Sequence, residues 1–382
     1  MTEKRPRLRI LLLSSVEHQS GSALRFRGIA GALARRGHDV HLLEPFARDE
    51  NPETPAGVTR HPCPRLSGSP ESQALLWLAY GIAAVVRSRP RIVYALKPLP
   101  NVWIPLRLGW LMGARTALDI DDLDFAYYPR GIRRSLIQWF FHHAARSTDD
   151  VTVHNEALRE LVLELRQRKS APIFVDQGID VERFAKSSAN AQLRDQLQLG
   201  DGPVLLYAGH LGPASNLASL LPALARIPDR FPRARLLVVG SGRDRSELEA
   251  AARRLLPEDF AVFVGSVPHR DVPGYFHLAS IAVNYLDDNE ANRHRSSIKV
   301  REALAAGLGV VSTRTPDTSR FAEFVRLVEP GPPEAFVDVL LSEMEHADRS
   351  RAEAGRRHLL ASGTFDAAVS ELAETWEQLE KE

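Results

Sequence analysis

The fold of this chain is indicated most clearly by residues 296–313, which read SSIKVREALAAGLGVVST. Ser297 stands where a helix N-cap is expected, and after Gly307 the chain turns into an apolar strand. Lys299 and Glu302 are three residues apart, so they share one face of this helix. An ammonium suits phosphate oxygens and a carboxylate suits a ribose diol, so the pair predicts half of a site for such a ligand. A surface ion pair on an amphipathic helix is the alternative.

Strand-like and helical segments alternate on both sides of this stretch. The alternation runs from Arg9 to about residue 175 and again from residue 204 to about residue 341. It predicts parallel sheets with helices on both faces. Because 382 residues exceed the size of an ordinary single core, we expect two domains. The predicted boundaries are residues 1–185, residues 186–360, and a terminal helix within residues 361–382.

Several motifs occur in an ordered series before the 296–313 stretch. They are QGID at 177–180, VLLYAGHLG at 204–212, RLLVVGSG at 235–242 and FVGSVP at 263–268. With the Lys/Glu helix, this series resembles the group 1, family 4-like branch of glycosyltransferases with the GT-B fold, along nearly the whole chain. The resemblance implies two Rossmann-like, doubly wound domains facing a cleft, with the terminal helix crossing back onto the first domain.

The resemblance also implies an activity and a set of site residues. A hexosyltransferase would move a sugar from a nucleotide-sugar donor to a hydroxyl acceptor in glycan, glycolipid or cell-envelope polysaccharide synthesis. Retention of configuration is favoured because most members of the branch retain it. The implied catalytic residues are Asp121, Lys299 and Glu302. The implied donor-binding residues are Gly21, Gly209, His210, Gly240, Val267, Arg295, Ser297, Lys299 and Glu302.

Some positions depart from the pattern of the branch. His294 stands where the first of two glutamates is usual, with Glu290 or Asp287 as substitutes. His210 replaces an arginine, and Ser215 or Asn216 replaces a lysine. These departures leave two other functions open: a non-catalytic nucleotide-sugar-binding subunit, and a nucleotide-sugar epimerase on the same fold.

Carboxylates cluster where a strand of the first half ends, at Asp119, Asp121, Asp122 and Asp124. Such a cluster suits a divalent cation, a general base towards an acceptor hydroxyl, or simple helix capping. No histidine or cysteine spacing suggests a structural zinc site, and no metal ligand is assigned. Lys97, Asp122 and His154 are the expected acceptor-binding residues, because ligands of open α/β sheets bind beyond the carboxyl ends of strands.

Composition excludes several classes of protein. A net charge of +1 argues against a dedicated nucleic-acid binder. A single cysteine excludes an internal disulfide and favours a cytoplasmic protein. No apolar run reaches the roughly 20 residues of a membrane span.

Residues 127–141 interleave aromatic and basic side chains. They predict either an interfacial helix at the inner face of a membrane, which would suit a lipid-linked acceptor, or a partly buried helix with a basic end.

Overall fold

The structure is a computed structural model that describes residues 6–16, 20–46, 53–64, 70–167, 169–186, 190–212 and 215–379. The chain divides into two compact units. The first contains the described residues of 1–179, 294–296 and 365–382, and the second those of 180–293 and 297–364. The predicted pair of parallel-sheet α/β domains is confirmed.

Within the described residues, seven parallel strands form the sheet of the first unit. They are β1 (Arg9–Leu13), β2 (Asp39–Phe46), β3 (Val58–Pro64), β4 (Ile92–Leu96), β5 (Arg115–Ile120), β6 (Asp150–Val153) and β7 (Ile173–Phe174). Their order across the sheet is β3-β2-β1-β4-β5-β6-β7. The helices before residue 180 are α1 (Gly21–Arg35), α2 (Pro70–Ser88), α3 (Pro100–Leu111), α4 (Ile132–Ser147) and α5 (Glu156–Arg166).

Side chains of β1 show how this sheet is buried on both faces. Ile10 and Leu12 pack in one apolar layer, while Leu11 and Leu13 pack in the other, as the two-residue period of a strand requires. The layer around Ile10 and Leu12 also contains Trp376, near the end of the chain.

Within the described residues, the second unit contains a sheet of six parallel strands. They are β8 (Val204–Ala208), β9 (Arg235–Val239), β10 (Ala261–Gly265), β11 (Ile281–Asn284), β12 (Gly309–Thr313) and β13 (Arg326–Val328), in the order β10-β9-β8-β11-β12-β13. The helices of this unit are α6 (Val181–Lys186), α7 (Ala191–Gln196), α8 (Leu217–Leu224), α9 (Ile227–Arg230), α10 (Arg245–Leu255), α11 (Val272–Phe276), α12 (Glu290–Arg293), α13 (Ile298–Ala305), α14 (Pro333–Glu345) and α15 (Arg349–Ser362).

The end of the chain returns to the first unit as α16 (Phe365–Ala368) and α17 (Ser370–Leu379). Val369, Leu372 and Trp376 are buried there. The ring of Trp376 meets that of Tyr94 edge-on, with centroids 5.4 Å apart. Among the described residues, no helix has both the length and the apolar character that crossing a bilayer requires.

Candidate functional site

Three glycines lie side by side at the carboxyl ends of β8, β9 and β10. Gly209, Gly240 and Gly265 all have positive φ angles, of 146°, 139° and 93°. The amide N–H of Gly209 donates to the carbonyl oxygen of Val239 at 2.9 Å. The amide N–H of Gly240 donates to the carbonyl oxygen of Gly265 at 2.8 Å. A Cβ atom on Gly240 would overlap the carbonyl oxygen of Gly209, so only glycine fits there. We call Gly209, Gly240 and Gly265 the glycine floor.

The side chain of Lys299 lies over one end of the glycine floor. Its Nζ atom is 4.1 Å from the centroid of the Tyr207 ring and would be 3.2 Å from a Cβ atom placed on Gly209. The cation–π contact favours this placement of the ammonium. An anion resting at this end of the floor would therefore meet a positive charge.

The first turn of α13 is held by buried polar contacts. Ser297 is the N-cap residue, but its hydroxyl donates to Oδ1 of Asn284 at 3.1 Å and makes no capping bond. The expected N-cap position of Ser297 is therefore confirmed, although its side chain makes no capping hydrogen bond. The backbone N–H of Ser297 donates to Asp317 at 3.0 Å, and Arg301 donates to the same carboxylate at 2.8 and 2.9 Å. The Ser297 hydroxyl thus leaves the first-turn amides of α13 to other partners.

Glu302 lies one turn after Lys299 and is buried. Burial raises its pKa to about 8, and the Lys299 ammonium only partly opposes that shift. Below that pH, Glu302 is a neutral carboxylic acid, which donates one hydrogen bond and accepts others. It can therefore bind a diol in either protonation state.

Two further expected donor residues, His210 and Val267, follow strands of this sheet. His210 is exposed two residues after the end of β8, and its ring would be 3.1 Å from a Cβ atom on Gly212. Val267 is half-buried, two residues after the end of β10. Both therefore lie at the carboxyl edge that carries the glycine floor.

Asn216, one of the two residues expected in place of the family's lysine, belongs to a network of amides and a carboxylate. Asn216 has a positive φ of 55°, and its Nδ2 donates to Oδ2 of Asp287 at 2.6 Å. Asn292 donates to the side-chain oxygen of Asn216 at 3.2 Å and to the backbone carbonyl of Asp287 at 2.8 Å. The sequence singled out Asn216 and Asp287 separately, and only the fold joins them.

In the first unit, Lys97 is enclosed by carboxylates. Its Nζ is 2.9 Å from Oδ1 of Asp121 and 2.8 Å from Oδ1 of Asp124, and its own φ is +67°. Burial alone would lower the pKa of Lys97, but these carboxylates outweigh it and raise the pKa well above its ordinary value. The positive charge of Lys97 is thus already compensated by carboxylates, which weakens its expected role in acceptor binding.

The aspartates around Lys97 have pKa values that are shifted in different directions. Burial would raise the pKa of Asp121, but attraction by Lys97 and a hydrogen bond from Ser22 leave it lowered. Burial raises the pKa of Asp122 to about 6, against the pull of Lys97, and the Tyr127 hydroxyl lies 3.0 Å from both Asp122 oxygens. Arg295, an expected donor-binding residue, also attracts Asp122. Like Asp122, it belongs to the first unit.

The Ser22 contact places Asp121 near the start of α1, where Gly21 was expected to bind the donor. Ser20 caps α1 through its side chain, accepting from Ala23 at 3.2 Å, and a Cβ atom on Gly21 would meet nothing within 4 Å. Neither packing nor φ requires glycine at this position. In the part of the chain that is described, no group of three or more His, Cys, Asp or Glu side chains is arranged to hold a metal ion.

His154 uses both ring nitrogens within the first unit. Nε2 is 2.6 Å from the carbonyl oxygen of Asp121, which only accepts, so Nε2 carries the proton. Nδ1 then accepts from the Ser296 hydroxyl at 2.6 Å. Burial, helped by Arg25, lowers the pKa of His154 and keeps the ring neutral. Its expected role in binding an acceptor would require one of these bonds to break.

A buried ion pair between Arg25 and Asp119 was not anticipated from the sequence. Asp119 also accepts from Tyr94 at 3.1 Å and from Thr152 at 2.5 Å, which removes it from the group of candidate ligand-binding aspartates. The available signal was an arginine next to Phe26 on the apolar side of α1. A buried charge of this kind requires a partner.

The two halves of the chain match two family models. Residues 20–175 match a model described as "Glycosyl transferase 4-like domain", and residues 202–346 match one described as "Glycosyl transferases group 1". Together these ranges cover most of the chain, and each contains the greater part of one parallel sheet. The chain therefore belongs to the group 1 glycosyltransferases with the GT-B fold.

Individual similar proteins are distant in sequence. A GDP-mannose-dependent alpha-(1-6)-phosphatidylinositol monomannoside mannosyltransferase of Mycobacterium tuberculosis is 25% identical over 209 residues, which are 53% of this chain and 54% of that protein. The chain thus spans about half the length of the curated relatives it matches.

Solved structures resemble the whole chain more completely. Sucrose-phosphate synthase from Thermosynechococcus elongatus has a TM-score of 0.79 at 19% identity, covering 98% of this chain and 100% of that one. HepE from Anabaena, solved with UDP and glucose, has a TM-score of 0.75 at 16% identity, covering 97% and 100%. At these identities the similarity establishes the fold.

Proposed function

We propose that this protein is a hexosyltransferase that moves a sugar from a nucleotide-sugar donor to a hydroxyl acceptor. The observation that carries the proposal is the position of Lys299, over the glycine floor and one turn before the buried Glu302. A cation, a surface of bare backbone and a diol-binding carboxyl group suit the diphosphate and ribose of one ligand. The M. tuberculosis relative, described as GDP-mannose-dependent, gives the proposal a precedent within the family.

The second unit supplies the charge stabilisation in this proposal. During transfer the bond between the anomeric carbon and the phosphate oxygen breaks, and the diphosphate leaves with the electron pair. The acceptor oxygen forms the new bond to the anomeric carbon, and its proton passes to the departing phosphate. Lys299 and the first-turn amides of α13 stabilise that developing charge. Glu302 holds the ribose hydroxyls and does not take part in bond breaking.

The first unit supplies the acceptor side. Asp121 is paired with Lys97, which lowers its pKa and makes it a weak base, so we assign it to orienting substrate hydroxyls. Asp122, with a pKa of about 6, is the stronger base of the two. Retention of configuration is proposed because most members of the branch retain it, and because Asp121 is committed to its ion pair with Lys97.

Replacing Lys299 tests this proposal. Lys299→Ala should reduce turnover about 100-fold or more, because a charge aimed at the leaving group is lost. Lys299→Arg, which keeps the charge, should restore part of that activity. The thermal midpoint of each variant serves as the folding control. Full transfer activity in a folded Lys299→Ala protein would refute the assignment.

The other two candidate functions give different outcomes in the same assays. His210 and His294 replace charged residues of the family pattern, and the His294 carbonyl accepts from Asn155 at 2.7 Å in the first unit. Nucleotide binding without transfer to any acceptor would favour a non-catalytic binding subunit. Isomerisation of the donor in the absence of an acceptor would favour an epimerase.

An exposed apolar surface on α4 supports a lipid-linked acceptor. Ile132, Leu136 and Trp139 are 90, 61 and 58% exposed, and Arg133 and Arg134 lie between the first two of them in the sequence. The later part of α4 is buried at Phe141, Ala144 and Ala145, so the alternative drawn from the sequence, a partly buried helix with a basic end, also agrees with the structure.

The apolar surface continues onto α3. The ring of Trp103 meets that of Phe140 on α4 at 5.8 Å between centroids, and Leu111 at the end of α3 is 73% exposed. Exposed apolar groups beside arginines suit the boundary of an anionic membrane. We therefore propose peripheral binding at the inner face of a membrane.

Vesicle sedimentation tests this second part of the proposal. Vesicles containing phosphatidylglycerol should bind the protein, and binding should fall at high salt and with neutral lipid alone. The triple variant Ile132→Ser, Leu136→Ser, Trp139→Ser should lose binding, whereas Leu255→Ser, at an exposed apolar residue of the second unit, should not. Equal sedimentation of both variants with the vesicles would rule out the α4 surface as the membrane-binding site.

A further inference from the structure

Arg245, the first residue of α10, lies over the other end of the glycine floor. Its Nη1 atom would be 2.5 Å from a Cβ atom placed on Gly265. Its Nε donates to Oε1 of Glu249, one helical turn further on, at 2.7 Å. The side chain is 36% exposed. The guanidinium is therefore anchored along one edge, while its terminal nitrogens lie over the floor.

The floor thus has a cation over each end. Gly209 and Gly265 end strands that are separated by β9 alone, and neighbouring strands lie about 4.8 Å apart, so the floor extends about 10 Å. One extended nucleoside diphosphate covers that length. If Lys299 holds the diphosphate over Gly209, the base reaches the end of the glycine floor near Gly265, where Arg245 lies.

We propose that Arg245 recognises the base of the donor and selects guanine. This inference rests on the proposed function and specifies its donor. A guanidinium offers only donors, in a planar fork. Guanine presents two adjacent acceptors, O6 and N7, which match that fork, whereas adenine places an amino donor beside N7. Uracil places an N–H donor beside its O4 acceptor, so it also satisfies only one arm of the fork.

Glu249 is a positioning residue in this arrangement. Its bond to Nε fixes the plane of the guanidinium and leaves Nη1 and Nη2 for the base. Without that bond the fork would rotate, and recognition of two acceptors at once would weaken even though the positive charge remained.

Calorimetric binding of GDP, UDP and ADP to the full chain and its variants tests the inference. The unmodified protein should bind GDP most tightly. Arg245→Met should weaken GDP binding about 10- to 100-fold and change UDP and ADP binding little, because a bidentate contact to guanine is lost. Arg245→Lys, which keeps the charge but not the fork, should behave like Arg245→Met. Glu249→Gln should reduce the GDP preference in part.

Arg253→Met is the matched control, because Arg253 is exposed on the same helix. It should leave all three affinities unchanged, and thermal midpoints check that each variant is folded. An equal loss for all three nucleotides in Arg245→Met would show a phosphate contact and overturn base selection. Equal binding of GDP and UDP by the unmodified protein would also overturn it, while leaving the proposed transfer activity intact. Failure to bind any of the three would reject the proposed function itself.

Discussion

Replacement of Glu302 by glutamine is expected to make the protein more stable, and increasingly so as the pH rises. The pKa of the buried carboxyl group is raised from 4.5 to about 8. The folded state therefore holds this proton more tightly than the unfolded state does. The contribution of this group to the free energy of unfolding is fully present below about pH 4.5 and is lost progressively up to about pH 8. Above that pH it changes no further.

The size of the effect follows from linkage. With these two pKa values, the free energy of unfolding falls by about 3 kcal/mol as the pH rises from 6 to 9. Glutamine has a similar shape and no charge to bury, so Glu302→Gln should avoid that loss. For a unit of this size, about 3 kcal/mol corresponds to roughly 6–12 °C in thermal midpoint.

Differential scanning fluorimetry across this pH range measures the effect. The difference in midpoint between Glu302→Gln and the unmodified protein should widen from pH 6 to pH 9. Glu247→Gln, at an exposed position on α10, is the control and should show no such trend. A midpoint difference that is constant with pH would refute the claim that Glu302 is buried as a neutral acid. Glu302→Ala should also weaken nucleotide binding in calorimetry, and unchanged affinity would contradict the ribose contact.

Further predictions concern the floor and the first unit. Gly240→Ala should cost more than about 2 kcal/mol in denaturant unfolding and abolish nucleotide binding, since its Cβ would overlap backbone, whereas Gly21→Ala should be tolerated. Lys97→Met should destabilise the first unit by about 3–5 kcal/mol because buried carboxylates lose their partner, and an unchanged urea midpoint would contradict the buried pairing. If Asp122 must be ionised, activity should fall below about pH 6, and Asp122→Asn should remove that limb of the pH–rate profile.

The overall architecture was predictable because its signals are local. Buried parallel strands are short apolar runs, and each one recurs at a regular distance from a helical segment. The alternation expected from residue 204 to about residue 341 agrees closely with β8 to α14, which extend from Val204 to Glu345. The series of glycine motifs identified the family, because the same order and spacing of such motifs rarely arise by chance.

Side-chain partnerships were not predictable in the same way. Asp119, Asp121, Asp122 and Asp124 look alike in sequence, yet one pairs with Arg25, two with Lys97 and one with Tyr127. Those partners lie on other elements, distant along the chain. The partners of Ser297 could not be foreseen for the same reason, since Asn284 accepts from its hydroxyl and Asp317 accepts from its amide.

The sequence alone determined the α/β class, the doubled parallel sheet and the segment that carries Lys299 and Glu302, because hydrophobic period, glycine turns and helix faces are properties of short stretches of chain. Only the tertiary structure decided that Lys299 and Arg245 lie over opposite ends of one glycine floor and that Glu302 is buried enough to hold its proton. Distance and desolvation depend on which strands become neighbours, and that is settled when the sheet forms.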